Sequence, residues 1–307
     1  DSGVQREISE FFTFYVPGYK FMPAFRNRMW DGKIRLFSQK TKEIYFGLYP
    51  YIKAFAEERG YNIVAGKDID IDNKVDRDVV TKFSNSLGQK FEARDYQIDA
   101  IFHSLKRNRA LLVSPTASGK SFIIYSLIRY YSHLIKEESN NRILLIVPTT
   151  SLVEQMYTDF ESYGWNVKKN CHRLYSGYSN QTDKKVLIST WQSLYKLPKS
   201  YFEQFGCVFG DEAHLFKSKS LTEIMTKLID CKYRIGLTGT LDGAHTHKLV
   251  LEGLFGAVNK VTTTKKLMDK NQLSNLVVRC LILKHSEANA KIISKGKYQD
   301  EIDYLVS

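Results

Sequence analysis

A chain of 307 residues, 43% hydrophobic and 25% charged, is too long for one small core and has an ordinary globular composition, so about two domains are expected. No apolar run is long enough to cross a bilayer, and the polar stretch from Asp1 to Glu10 lacks the apolar core of a signal peptide. No membrane helix and no secretory leader are therefore expected, and the cytoplasm is the expected compartment. The formal net charge of +12 favours a polyanionic partner, although many basic proteins bind none.

Metal and disulfide chemistry find little support. Cys171, Cys207, Cys231 and Cys280 are too dispersed for a zinc knuckle and read as reduced, structural thiols. His245 and His247 are close together, but Asp242-Gly243 beside them reads as a solvated loop.

In chain order, residues 1–64 predict a small α+β domain. Phe11 to Tyr15 is β-prone, Pro17-Gly18 marks a turn, and Met29 to Arg35 reads as a hairpin turning at Asp31-Gly32. A helix is expected over residues 50–60, with Tyr51, Ile52, Phe55 and Ala56 on one face. Residues 65–90 read as a connector, in which Asp68, Asp70 and Asp72 alternate with Ile69 and Ile71 and a polar helix starts near Asp76. From residue 91 to 262, short apolar runs alternate with helical stretches. Residues 110–114, 143–147, 186–189, 207–210 and 233–237 suit strands buried on both faces of a parallel sheet, which gives a doubly wound α/β domain. Residues 263–307 form an extension beyond it. In such sheets ligands bind at the carboxyl ends of the strands.

The segment Ser114-Pro115-Thr116-Ala117-Ser118-Gly119-Lys120-Ser121 sits at such an end and matches a P-loop, except that Ser114 replaces the first glycine. A tight loop at a helix start turns backbone N–H groups toward phosphate oxygens, so Thr116, Ala117, Ser118 and Gly119 are phosphate-binding candidates. Lys120 is expected on the β- and γ-phosphates and Ser121 on Mg²⁺. The run Phe209-Gly210-Asp211-Glu212-Ala213-His214 ends a second strand in adjacent carboxylates, a costly place for two charges without a cation. Asp211 is expected to anchor Mg²⁺, and Glu212 to orient and deprotonate the attacking water. Arg94-Asp95-Tyr96-Gln97 opens a helix with Ile98, Ile101, Phe102 and Leu105 as its apolar stripe. Asp95 is expected to cap it, and the Gln97 amide could pair with adenine and select ATP.

Taken in order, Arg94 to Gln97, Ser114 to Ser121, Val147 to Leu152, Ser189 to Leu194, Asp211 to His214 and Thr238-Gly239-Thr240 resemble the motifs of superfamily 2 helicases. Phe25 to Arg35, Ile146 to Thr150 and Val261 to Met268 further resemble the UvsW-type helicases of T-even bacteriophages, over nearly the whole chain. The resemblance implies a RecA-like P-loop domain of the DEAH-box kind. It implies ATP-dependent remodelling of branched DNA and of RNA–DNA hybrids in recombination, repair and replication. By the same resemblance Thr149, Ser176, Gly177, Thr190, Trp191 and Gln192 would grip the DNA backbone, and His214, Thr238, Gly239 and Thr240 would couple the ATP site to the DNA. The family motor has a second RecA-like domain bearing arginines that reach the γ-phosphate. No Gln-x-x-Gly-Arg-x-x-Arg segment is present here, so that domain is expected outside this sequence, and the 307 residues alone are expected to be nearly inactive. Strong turnover by these residues alone would point to a substitute such as Arg234.

Between Phe11 and Lys42 lie Lys20, Arg26, Arg28, Lys33, Arg35, Lys40 and Lys42, against the one acid Asp31. In a hairpin Arg26, Arg28, Lys33 and Arg35 would share one face, with Trp30 and Ile34 on the other, and that basic face suits duplex or branched DNA. Two other readings stay open: an RNA-dependent ATPase of similar motor fold, and a DNA-binding module whose P-loop only senses nucleotide.

Overall fold

The computed structural model describes residues 2–66, 69, 73–241, 243–274, 279–280, 287, 291 and 296–306. The alternating Asp68, Asp70, Ile71 and Asp72 of the expected connector, Asp242 of the expected loop, and most of the extension past residue 274 lie outside the described residues. Among the described residues no helix is long and apolar enough to cross a membrane.

Among the described residues there are eleven strands: β1 (Thr13–Tyr15), β2 (Lys33–Arg35), β3 (Phe37–Ser38), β4 (Glu43–Ile44), β5 (Arg109–Val113), β6 (Arg142–Val147), β7 (Cys171–Leu174), β8 (Val186–Thr190), β9 (Phe205–Gly210), β10 (Tyr233–Thr238) and β11 (Val258–Lys260). Seven of them form one sheet in the order β11-β5-β10-β9-β6-β8-β7, every neighbouring pair parallel. The five strands expected from apolar runs are the five central ones. The two edge strands, Cys-His-Arg-Leu and Val-Asn-Lys, carry polar residues because each has a neighbour on one side only, and they leave no apolar run to read.

The sheet buries both faces. Ile143, Leu145 and Val147 point into a cluster with helices Asp95–Arg107, Lys120–Leu134 and Thr150–Ser162. Leu144 and Ile146 point the opposite way, into a cluster that also holds Phe12, Leu36, Phe37 and Leu48 of the front segment. The front segment therefore completes the second face of the sheet.

Its local structure departs from expectation. Ser2–Phe11 is a helix, so only Thr13–Tyr15 of the β-prone run is strand. Residues 29–35 do not form a hairpin. β2 pairs antiparallel with β1, Phe14 opposite Ile34, and Pro23 starts a short helix, Pro23–Arg26, where a first hairpin strand was expected. Arg26 and Arg28 are consequently not on one strand face with Lys33 and Arg35. The expected helix at 50–60 is Tyr49–Glu58, and Asp76 caps a helix at Arg77–Asn85 by accepting from the Asp78 and Val79 N–H groups.

One buried carboxylate ties the front segment to the sheet domain. Glu252, 3% exposed, lies on helix His245–Phe255. Its Oε2 accepts from the Tyr51 hydroxyl at 2.6 Å, and its Oε1 accepts from the Val258 N–H at 3.2 Å, with Lys248 Nζ 3.8 Å away. Burial and this bond push the Tyr51 phenol up. Gly47 is needed at the same seam, because a Cβ there would lie 1.9 Å from the Glu252 carbonyl oxygen. Hydrogen bonds to charged groups are worth about 1.5–3 kcal/mol. Tyr51→Phe should therefore lower unfolding free energy by about 1–3 kcal/mol in denaturant melts; an unchanged midpoint would show that the seam is held by apolar packing alone.

Candidate nucleotide site and nucleic-acid groove

The nucleotide-site motifs converge because β5, β10 and β9 are neighbours. Thr238 pairs with Val113, and Gly236 pairs with both Leu111 and Gly210. The loops leaving these three strands thus emerge side by side. The Ser114 N–H donates to the Thr238 carbonyl at 2.8 Å, fastening the P-loop to the strand beside it.

Within the P-loop, Ser114 is buried and its Oγ lies 2.7 Å from Ser118 Oγ, so the residue replacing glycine braces the loop from inside. Ala117 and Gly119 have φ of 62° and 79°, which turns successive N–H groups into a concave cradle. Gly119 has no room for a side chain: a Cβ would meet Gln97 Nε2 at 2.4 Å. Thr116 and Ala117 are exposed at the loop crest, and Lys120 opens helix Lys120–Leu134.

Gln97 differs from expectation. Its amide oxygen accepts from the Arg94 N–H at 2.9 Å, closing the helix cap, and its nitrogen donates to the Ser118 carbonyl at 3.0 Å, bracing the P-loop. This also corrects the cap: the helix starts at Asp95, and Arg94 occupies the cap position, held by Gln97 rather than by the Asp95 carboxylate. The Arg94 guanidinium donates to the Tyr96 hydroxyl at 2.9 Å, which in turn donates to the Ser118 carbonyl.

Glu212 is the hub. Its Oε1 lies 3.4 Å from Lys120 Nζ and its Oε2 lies 3.3 Å from His214 Nδ1. His214 Nδ1 is also 2.9 Å from Thr238 Oγ1. The Thr238 hydroxyl donates to the Thr240 carbonyl at 2.8 Å, so it can only accept from His214, which assigns the imidazole proton to Nδ1. A continuous polar line thus runs from Lys120 through Glu212 and His214 to Thr238 and Thr240. Gly239 lies beside this line, where a Cβ would make only an ordinary contact, 3.6 Å from Lys120 Nζ.

Asp211 is 4% exposed, and its Oδ1 has no hydrogen-bond partner. Burial first, and then the Glu212 charge, push its pKa up to about 6. An orphaned buried oxygen on a strained carboxylate is what a divalent cation would relieve, so the site fits Mg²⁺. Ser121 Oγ, the other expected ligand, lies 2.9 Å from the Tyr163 hydroxyl. Tyr163 and Asp159 were not expected at the site. They arrive on and just after helix Thr150–Ser162, and no local motif marks them.

The other half of the sheet edge builds a groove. Val147 pairs with Thr190, and Leu174 with Ser189, so the loops after β6, β8 and β7 also emerge together. Thr149, Ser176, Thr190 and Gln192 line one cleft of about 560 Å³ with Pro148 and Tyr175. Gly177, φ 94°, is exposed beside Ser176. Trp191 does not join the cleft lining; it packs on the apolar cluster of the second sheet face. Thr149 also caps helix Thr150–Ser162 by accepting from the Leu152 N–H. In the front segment, Arg26 and Arg28 line a separate groove with Lys20, Trp30 and Asp31. Lys33 lies over the Tyr15 ring and Arg35 pairs with Asp31, so the four expected basic residues are divided. Arg234 is buried at the opposite end of β10, where its guanidinium donates to the Met225, Leu228 and Cys231 carbonyls. That position removes it as a substitute for the missing arginines. Among the described residues no cluster of three or more His, Cys, Asp or Glu could hold a metal, and Cys171, Cys207 and Cys231 are free and buried.

Asp211 makes stability depend on pH. Its folded pKa of about 6 exceeds the ordinary 3.8, so the folded protein holds this proton more tightly. Stability should fall as pH rises from about 4 to about 6, with a full penalty on the order of 3 kcal/mol above that range. Without divalent cations, Asp211→Asn should lose this slope in urea melts across that window. Equal slopes for the two proteins would mean that Asp211 is not held in a charge-averse pocket.

Comparison with known proteins matches this geometry. The family model described as type III restriction enzyme, res subunit, covers residues 90–243, and that of the DNA helicase UvsW N-terminal region covers residues 1–66. The ATP-dependent DNA helicase uvsW of Enterobacteria phage T4 is 34% identical over 308 residues, 97% of this chain and 60% of that protein. The DNA 3'-5' translocase XPB2 of Sulfurisphaera tokodaii is 26% identical over 219 residues, 66% of this chain and 46% of that protein. A crystal structure of the UvsW helicase from bacteriophage T4 has a TM-score of 0.76 at 34% identity, covering 85% of this chain and 94% of the other. A second T4 UvsW structure has a TM-score of 0.77 at 32% identity, covering 96% of this chain and 61% of the other. The chain thus spans about 60% of the length of its T4 relative. With the front segment, the P-loop sheet and their arrangement all matched, the chain belongs to the UvsW family of superfamily 2 helicases.

Proposed function

We propose that these residues form the nucleotide-binding half of an ATP-driven DNA motor that remodels forked or branched DNA and RNA–DNA hybrids. One observation carries the reading: the line from Lys120 through Glu212 and His214 to Thr238, beside a groove rimmed by Thr149, Ser176, Thr190 and Gln192. The family's T4 member, an ATP-dependent DNA helicase, supports it.

The chemistry follows from the residues. The cradle of 116–119 receives the phosphates and Lys120 meets the terminal ones. Mg²⁺, held by Ser121 and Asp211, would neutralise charge on the phosphate oxygens. Glu212 accepts the proton of the attacking water. Release of Lys120 toward phosphate frees one Glu212 oxygen, and the other remains tied to His214. His214 and Thr238 then carry the nucleotide state to the end of β10, on the same sheet edge as the groove and separated from β6 by β9. Hydroxyls and backbone amides of the groove suit phosphate contacts without reading sequence. Lys20, Arg26 and Arg28 supply a second grip on duplex. Gln97 reaches adenine only by giving up an internal bond, so we assign its first role to bracing the P-loop. The second RecA-like domain and its arginines lie outside these residues on this reading, as the greater length of the T4 relative supports.

In the full-length protein, Lys120→Ala should reduce ATP turnover to background, and Glu212→Gln should retain ATP binding while losing roughly 10²–10⁴ in turnover. An arginine finger is worth about 10³–10⁵ in rate, so the 307-residue chain should show little turnover even with forked DNA. Wild-type turnover by the Lys120 variant would remove the assignment.

Reversing Lys20, Arg26 and Arg28 to Glu should weaken binding to duplexes of any sequence. The log–log salt dependence should flatten by about 0.9 for every phosphate that is no longer neutralised. An unchanged slope in a folded variant would place the duplex grip elsewhere.

A further inference from the structure

We propose that the seam between the front segment and the sheet, at the end opposite the P-loop, is a binding site for a small free phosphate anion. Arg109 opens β5, and Arg234 lies directly opposite it in register on β10. Like charges placed side by side on neighbouring strands destabilise a sheet. Among the described residues no carboxylate forms an ion pair with either arginine. Burial lowers the Arg109 guanidinium to about 10, with Arg234 as the next cause.

A guanidinium carries five N–H donors. Arg234 spends three on the carbonyls of Met225, Leu228 and Cys231. Arg109 makes one long bond, 3.5 Å to the Cys231 carbonyl, and its guanidinium carbon lies 4.8 Å from the Phe46 ring centre. Both arginines line a cavity of about 530 Å³. Arg35 joins them from the front segment, and Glu43 is the one carboxylate in the lining. Small-molecule sites commonly measure about 300–1,000 Å³.

The uncommitted N–H groups of Arg109 and Arg234 match the oxygens of a doubly charged phosphate, which Arg binds through paired N–H groups, and Arg35, already paired with Asp31, adds only a rim contact. With Arg35 paired to Asp31, Glu43 alone stands against the buried Arg109 and Arg234, which leaves one positive charge in the cavity unbalanced. The site is distinct from the P-loop, because all of β5, roughly 17 Å of strand, separates Arg109 from Ser114. An anion here contacts the sheet through Arg109 and Arg234 and the front segment through Arg35. Occupancy therefore ties the two together and raises the unfolding temperature.

The test uses pyrophosphate and a Lys120→Ala background, which weakens binding at the P-loop. Unfolding temperature is measured against pyrophosphate, with sodium chloride at matched ionic strength as control. A saturable rise beyond the control is expected. Adding Arg109→Gln should raise the half-saturating concentration roughly tenfold or more, and Arg109→Lys should fall between. If Arg109→Gln does not fold, Arg35→Gln, half-exposed at the cavity rim, should give a smaller shift of the same sign. No rise beyond the control, or a rise that neither variant weakens, overturns the proposal. A short DNA duplex is the second arm and should leave the pyrophosphate half-point unchanged. A duplex that competes with pyrophosphate through Arg109 would assign the cavity to nucleic-acid backbone instead and overturn the free-anion assignment.

Discussion

The parallel adjacency of β5, β10 and β9 is the constraint on which the site depends. Three strands in register release three loops at one height, so Lys120, the neighbouring Glu212 and His214, and Thr238, from three separate stretches of the chain, come within bonding distance. β6 continues the same register from β9, with Ile146 opposite Gly210, and carries the edge across to β8 and β7. The nucleotide cradle and the groove are thus two stretches of one edge. A change in the spacing of β9 against either neighbour would alter both.

Charge is concentrated along that edge at a cost the fold must hold. Asp211 is buried with an unpartnered oxygen, and Glu212 adopts a left-handed backbone with φ of 50°. Both features are unfavourable in an apo protein. They persist because the loop is clamped: the Asp211 N–H donates to the Ile146 carbonyl, and Phe216 is buried just beyond it. The rigid apolar sheet beneath lets the site stay poised for cationic and phosphate ligands.

The front segment depends on the same sheet. Sixty-odd residues alone bury too little surface for comfortable stability. Phe12, Leu36, Phe37 and Leu48 join Leu111, Leu144 and Phe255 in one continuous core, and Glu252 is the polar pin through it. A basic front segment held this firmly moves with the sheet as one body.

The sequence by itself determined the parallel sheet's centre and marked the candidate residues of the nucleotide site. Buried central strands must be apolar throughout, and phosphate chemistry demands Gly119-Lys120-Ser121 and Asp211-Glu212 at fixed spacing. Local signals did not determine what depends on a partner distant in the chain. The edge strands are polar because one side is open. Met29 to Arg35 looked like a hairpin because Asp31-Gly32 suits a turn, but β1 supplied a better apolar partner for Ile34. Gln97 and Trp191 face inward, and Arg234 caps carbonyls at the far end of β10, because neighbouring backbone offered them bonds and packing that no motif records. Tyr163 reaches Ser121 only once helix Thr150–Ser162 has packed beside helix Lys120–Leu134. Periodicity and motif report the requirements of a residue's own segment, whereas tertiary packing decides which surface satisfies them.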